Sequence, residues 1–187
     1  MPQDTRLKTQ DVSISFVIPV KTGIGRILVL GVGNMLLKDE GVGVHVARKL
    51  QEISLPCNIE VIDGGTASLD VLLLAGDIEK LVVVDALRAG GKPGTIYRTC
   101  LGAAEKDKLR QNFVRQECLK ISLHQVGLLD ALAVAERMNC APEEVVIIGV
   151  EPGDVDYGLE LTDEVKQRIP EIIGTVLKEI ENDIYRK

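Results

Sequence analysis

Ile27-Leu28-Val29-Leu30-Gly31-Val32-Gly33-Asn34-Met35-Leu36-Leu37-Lys38-Asp39-Glu40-Gly41-Val42-Gly43 is the stretch that decides the fold. Its first four residues are an unbroken apolar run, as in a strand covered on both faces, and glycines follow where the chain must turn sharply. From about Glu40 to Gln51, Val42, Val46 and Leu50 recur at four-residue spacing and mark the buried face of a helix. Strand, glycine turn and amphipathic helix are the opening half of a βαβ unit. The same alternation continues outward: strands are predicted at Ile59 to Ile62, Leu81 to Val84, Thr95 to Arg98 and Val145 to Val150. Helices are predicted over about Ser68 to Leu74, Leu123 to Met138 and Thr162 to Asn182, the last kinked or divided by Pro170. The expected fold is a single three-layer α/β domain, a mostly parallel twisted sheet of about five strands sandwiched between helices, over residues 25–187. Residues 1–24, with one strand-like run at Ser15 to Val20, read as an N-terminal arm or extension.

A length of 187 residues suits one domain with a sizeable core. The 22 basic against 28 acidic residues leave a formal charge of −6, the wrong sign for neutralising phosphates, and 3% aromatics offer no stacking platform for bases. Nucleic acid is therefore not an expected partner. Cys57, Cys100, Cys118 and Cys140 are scattered and form no C-x-x-C pair, which argues for plain thiols in a reducing compartment rather than a zinc cage or redox couple. No run approaches the roughly 18 apolar residues of a membrane span. A cytoplasmic monomer with no membrane contact is the expectation.

Chemistry concentrates at the ends of the apolar strands. A strand followed by Gly-x-Gly invites a dinucleotide reading, but the third glycine of that fingerprint falls at position 36, which is Leu36. Asp39 and Glu40 then place two carboxylates where a phosphate would want bare amides. Asp39 has two readings, a helix cap or a general base, and Glu40 either favours the positive helix end or binds a ligand. Asp85 ends the run Leu81 to Val84, and Asp63 ends Ile59 to Ile62, each as a turn residue or as a ligand-facing acid. His124 follows Ser122 in a capping box with Gln125, a first-turn position that favours the neutral, metal-binding imidazole. His45, the other histidine, reads as a solvated helix residue. Glu40, Asp85 and His124 form an oxygen, oxygen, nitrogen set able to hold a divalent ion such as nickel or zinc with positions left open.

These segments resemble the hydrogenase maturation endopeptidases, which process the large subunit of nickel-iron hydrogenases. The resemblance is carried by Gly31-Val32-Gly33-Asn34 through Asp39-Glu40-Gly41-Val42-Gly43-Val44, Asp63-Gly64-Gly65-Thr66-Ala67, Val84-Asp85-Ala86, Ser122-Leu123-His124-Gln125-Val126-Gly127-Leu128 and Ile148-Gly149-Val150-Glu151-Pro152, in family order. It implies a twisted sheet between helices, with Glu40, Asp85 and His124 as the metal-binding positions. It implies that Gly33, Asn34, Asp63, Gly64, Gly65 and Thr66 line the substrate. The implied substrate is a hydrogenase large-subunit precursor that already carries nickel, from which a short C-terminal peptide is removed.

The family is often classed as aspartic-type, and Asp39 and Asp85 are its carboxylate candidates here. No paired Asp-Thr/Ser-Gly motif, Gly-x-Ser-x-Gly elbow or motif-borne cysteine is present. A metal-polarised carbonyl and a metal-activated water both suit a three-ligand site. Two other readings stay open: a non-catalytic nickel-binding maturation chaperone, and a Rossmann-type nucleotide-binding enzyme.

Overall fold

The computed structural model describes residues 25–67, 76–101, 123–138 and 140–184, without the side chains of residues 123–127, 129 and 182–184. The expected arm at 1–24 and the expected helix over Ser68 to Leu74 lie outside these residues. Five strands form one sheet: β1 (Ile27–Val32), β2 (Ile59–Gly65), β3 (Lys80–Ala86), β4 (Ile96–Leu101) and β5 (Glu144–Val150). Their order is β2-β1-β3-β5-β4, all parallel except β4, which runs antiparallel to β5 at one edge. The mostly parallel five-stranded sheet read from the sequence is thus the one observed, with strand ends shifted by one to three residues; β4 starts at Ile96 rather than Thr95 and runs on to Leu101.

Alternation along the central strands sorts the core into two layers. Val29, Val82, Val84, Val146 and Ile148 face helices α1 (Val42–Gln51) and α4 (Ile169–Ile184), packing on Val42, Val46, Leu50, Ile172, Val176 and Ile180. Leu28, Leu30, Leu81, Val83 and Val145 face the other way, onto Leu128, Ala131 and Leu132 of helix α2 (Leu123–Arg137). Each buried aliphatic side chain contributes about 1.5–3 kcal/mol, which is why the helices lie on these faces and not elsewhere. The predicted helix over Thr162 to Asn182 is divided: a short α3 (Asp163–Lys166) precedes α4. Pro170 sits in the first turn of α4, where its missing N–H costs no hydrogen bond.

At the amino edge of the sheet, Lys80 and Glu179 are buried together. The Lys80 ammonium donates to the Glu179 carbonyl at 3.1 Å and lies 3.3 Å from Glu144, while Arg98 Nη2 donates to Glu179 Oε2 at 2.9 Å. Hydrogen bonding from Arg98 holds the Glu179 carboxyl below its usual pKa, against the opposing effect of burial.

Candidate functional site

The strand order reverses direction between β1 and β3: β1 connects outward to β2, and β3 leads to the opposite half. Crevices at such switch points, beyond the carboxyl ends of the strands, are where parallel sheets bind ligands. The turn after β1 carries Asp39 and Glu40 to this edge, and Asp85 lies at the end of β3 beside it.

Glycines bring the helix over this crevice. A Cβ on Gly43 would lie 2.1 Å from the Val84 carbonyl and 2.3 Å from that of Val32, so α1 begins in direct contact with the ends of both strands. Gly33 has φ 142°, a region closed to most side chains, and a Cβ there would meet the Glu40 carbonyl at 1.9 Å. The backbone position of Glu40 therefore depends on Gly33 having no side chain.

Asp39 does not cap its helix. A 3₁₀ turn over Lys38–Gly41 precedes α1, whose own first cap position is Gly41, and neither turn nor helix has a side-chain cap. The Asp39 carboxylate is completely buried and accepts four hydrogen bonds from a distant loop. Gly153 N donates at 2.8 Å and Asp154 N at 3.1 Å to Oδ2, Thr162 Oγ1 donates to the same oxygen at 2.8 Å, and Thr162 N donates to Oδ1 at 2.7 Å. A carboxylate so surrounded is an anchor for residues 153–162, and its four accepted hydrogen bonds favour that structural role over the general-base reading. Backbone bonds extend the seam: Lys38 N donates to Gly158 O at 2.9 Å, and Gly158 N to Leu36 O at 3.0 Å. Lys38, at φ 43°, is ion-paired with Asp154, and that hydrogen bond raises the lysine's pKa and lowers the aspartate's.

Asp85 is buried, with Oδ1 accepting the Ala86 amide at 2.8 Å. Glu40 is half-buried at the end of the 3₁₀ turn. His124 is the second residue of α2, and its side chain lies outside the described residues. Helix α2 packs on the sheet through Leu128, Ala131 and Leu132, one to two turns beyond His124. Among the described side chains no group of three or more His, Cys, Asp or Glu is placed to hold a metal.

The other sequence candidates build the rim. Asn34 Oδ1 accepts the Leu36 amide at 3.0 Å and shapes the turn after β1. Asp63 accepts the Gly65 amide at 3.1 Å and Arg48 Nε at 2.9 Å, tying β2 to α1. Gly64 is buried against Leu30, Gly65 has φ 48°, and Thr66 is exposed.

Sequence reasoning missed the role of one residue and misread another. Glu151, buried just beyond β5, accepts the Ala89 amide at 2.8 Å, the Gly90 amide at 3.2 Å and the Tyr97 hydroxyl at 2.8 Å, and so fixes the loop between β3 and β4. Burial pushes its pKa up, but these donors outweigh that and leave the carboxyl below its usual value. Its signal was an acid ending an apolar strand, as at Asp85. His45 is not the solvated residue expected: it is half-buried, its Nε2 is buried without a hydrogen-bond partner, and burial lowers its pKa. The Leu159 backbone beside the ring opposes that shift, so the loop anchored by Asp39 also borders His45.

A family model described as hydrogenase maturation protease matches residues 44–179. The hydrogenase expression/formation protein HupD of Rhodobacter capsulatus is 36% identical over 157 residues, 83% of this chain and 71% of that protein. The hydrogenase 2 maturation protease of Escherichia coli is 36% identical over 154 residues, 81% of this chain and 88% of that protein. The structure of the hydrogenase maturating endopeptidase HybD from Escherichia coli superposes with a TM-score of 0.71 at 32% identity, covering 84% of this chain and 93% of the other.

Proposed function

Since this chain belongs to the hydrogenase maturation protease family, we propose that it is an endopeptidase that removes the C-terminal peptide of a nickel-loaded hydrogenase large-subunit precursor. The observation that supports this reading is the position of Glu40 and Asp85 at the β1/β3 switch point, one after the turn that follows β1 and the other at the end of β3. Nickel is part of the substrate here. Two carboxylates and an imidazole are a donor set that a borderline divalent ion accepts, and zinc would compete for it in vitro.

Glu40, Asp85 and His124 contact the substrate's metal and thereby register the peptide in the crevice. Asp85, one residue before the end of β3 and held by the Ala86 amide, is our candidate for an aspartic-type role. Gly33, Asn34 and residues 63–66 form the walls along which the peptide lies. A non-catalytic nickel chaperone would use the same ligands without cleaving.

The test is incubation of the protein with nickel-loaded and nickel-free precursor, followed by intact-mass measurement. Loss of a C-terminal fragment from the nickel-loaded form alone is the expected result, and cleavage of neither form would leave the chaperone. Glu40→Gln, Asp85→Asn and His124→Ala should each keep the fold and reduce cleavage by about a hundredfold or more, the scale seen when a positioned catalytic group is lost. Undiminished cleavage by all three variants would refute the assignment.

A further inference from the structure

Three large apolar side chains stand in water beside the crevice: Leu36 is 60% exposed, Tyr157 90% and Leu159 62%. They are neighbours, because the isolated bridge between Leu37 and Gly158 brings Leu36 alongside the segment that carries Tyr157 and Leu159. Exposed residues of this kind on loose loops would be unremarkable, but here the backbone beneath them is fastened by the four bonds to Asp39, by the Lys38–Asp154 pair and by the Gly158 seam. A rigid apolar surface binds a partner with little ordering cost. Its surroundings are acidic on balance: residues 154–164 hold Asp154, Asp156, Glu160, Asp163 and Glu164, of which Asp154 pairs with Lys38 and Glu160 with Lys166. Glu160 meets Lys166 at 3.2 Å, and Asp156 and Glu160 are both exposed. Leu36 is also only four residues before Glu40, on the same connection that leads from β1 to the candidate site.

We propose that Leu36, Tyr157 and Leu159 form the docking surface for the body of the large-subunit precursor, which meets them with an apolar face rimmed by lysines and arginines. This rests on the proposed processing function and adds a second contact, distinct from the metal-reading groups. An apolar centre with a charged rim is the usual anatomy of a specific protein interface. Docking there positions the precursor before its metal and C-terminal peptide enter the crevice, so the patch acts on binding and not on the chemical step.

The test compares the parent protein with Tyr157→Ser, the double variant Leu36→Ser/Leu159→Ser, and the charge reversal Asp156→Lys/Glu160→Lys. Affinity for fluorescently labelled, nickel-loaded precursor is read by anisotropy, and cleavage is followed over a range of precursor concentrations. Both apolar variants should weaken binding and raise KM by about tenfold or more, the loss typical of an interface anchor, with kcat and melting temperature unchanged. The charge reversal should weaken binding at low salt, with the difference shrinking as added salt screens it. Binding and KM within twofold of the parent in both apolar variants would overturn the proposal. So would light scattering that finds the parent dimeric and these variants monomeric, which would make the patch a self-association surface. If the parent binds the precursor but cleaves nothing, the processing function fails while the binding comparison still decides the docking surface.

Discussion

Removing the Asp39 carboxylate should detach a loop before it unfolds the domain. In Asp39→Asn the side chain keeps its shape, but one oxygen becomes an NH₂ group that cannot accept. If the amide oxygen takes the Oδ2 position, it retains Gly153 N, Asp154 N and Thr162 Oγ1, and the Thr162 amide faces another donor. One buried donor left without a partner costs about 1–3 kcal/mol. In a domain of this size about 2–4 °C of melting temperature is lost per kcal/mol, so the variant should melt roughly 2–12 °C lower. Asp39→Ala strands three backbone amides and a hydroxyl, a cost of about 3–5 kcal/mol or more, limited by the free energy at which residues 153–162 come away from the 3₁₀ turn. Hydrogen exchange resolved by residue separates loop opening from global unfolding. The amides of Gly153, Asp154 and Thr162 should lose protection in the alanine variant while those of β1 and β3 keep theirs. An alanine variant that melts within about 1 °C of the parent, well under the shift for 1 kcal/mol, with all three amides still protected, would refute the anchoring argument.

Gly33→Ala forces a Cβ into a disfavoured φ region and onto the Glu40 carbonyl, so it should cost about 1–3 kcal/mol in the melt and reduce cleavage as well, because Glu40 must shift. A variant with unaltered melting and activity would show that the turn relaxes freely. His45 supplies a pH signature: its folded pKa lies below the unfolded one, so the unfolded chain takes up the proton first. Its contribution to stability is therefore present above the ordinary imidazole pKa of about 6.5 and falls as the pH drops from there to the folded value. Melting temperatures measured from pH 7.5 down to 5.5, a range chosen to bracket that pKa of about 6.5, should fall more steeply for the parent than for His45→Gln, and parallel curves would remove His45 as the cause.

The sheet was legible because its central strands are covered on both sides, which leaves apolar runs such as Leu81 to Val84 that no exposed segment would show. The apolar face of α1, with Val42, Val46 and Leu50 four residues apart, was legible for the same reason. What escaped depends on contacts between residues far apart in the chain. Asp39 looked like a helix cap because only its neighbours were in view, whereas its four donors come from residues 153, 154 and 162. His45 looked solvated because helical spacing places it at the margin of the apolar face and cannot show that the loop at Leu159 borders it. Glu40 and Asp85 were read together from their positions at strand ends, and the strand order puts both at the switch point. The order itself, with β1 between β2 and β3, could not be read from the segments one at a time.

Lys80 opens β3 and Asp85 stands near its close, and five residues of extended chain separate them by about 16 Å. Substitutions farther apart than roughly 7–10 Å and without shared partners combine additively. The buried ion cluster around Lys80 and Glu179 and the acids of the crevice are thus two independent dials on one strand. A lineage could lose stability at the carboxyl edge while altering its choice of substrate and recover it at the amino edge, with neither change constraining the other.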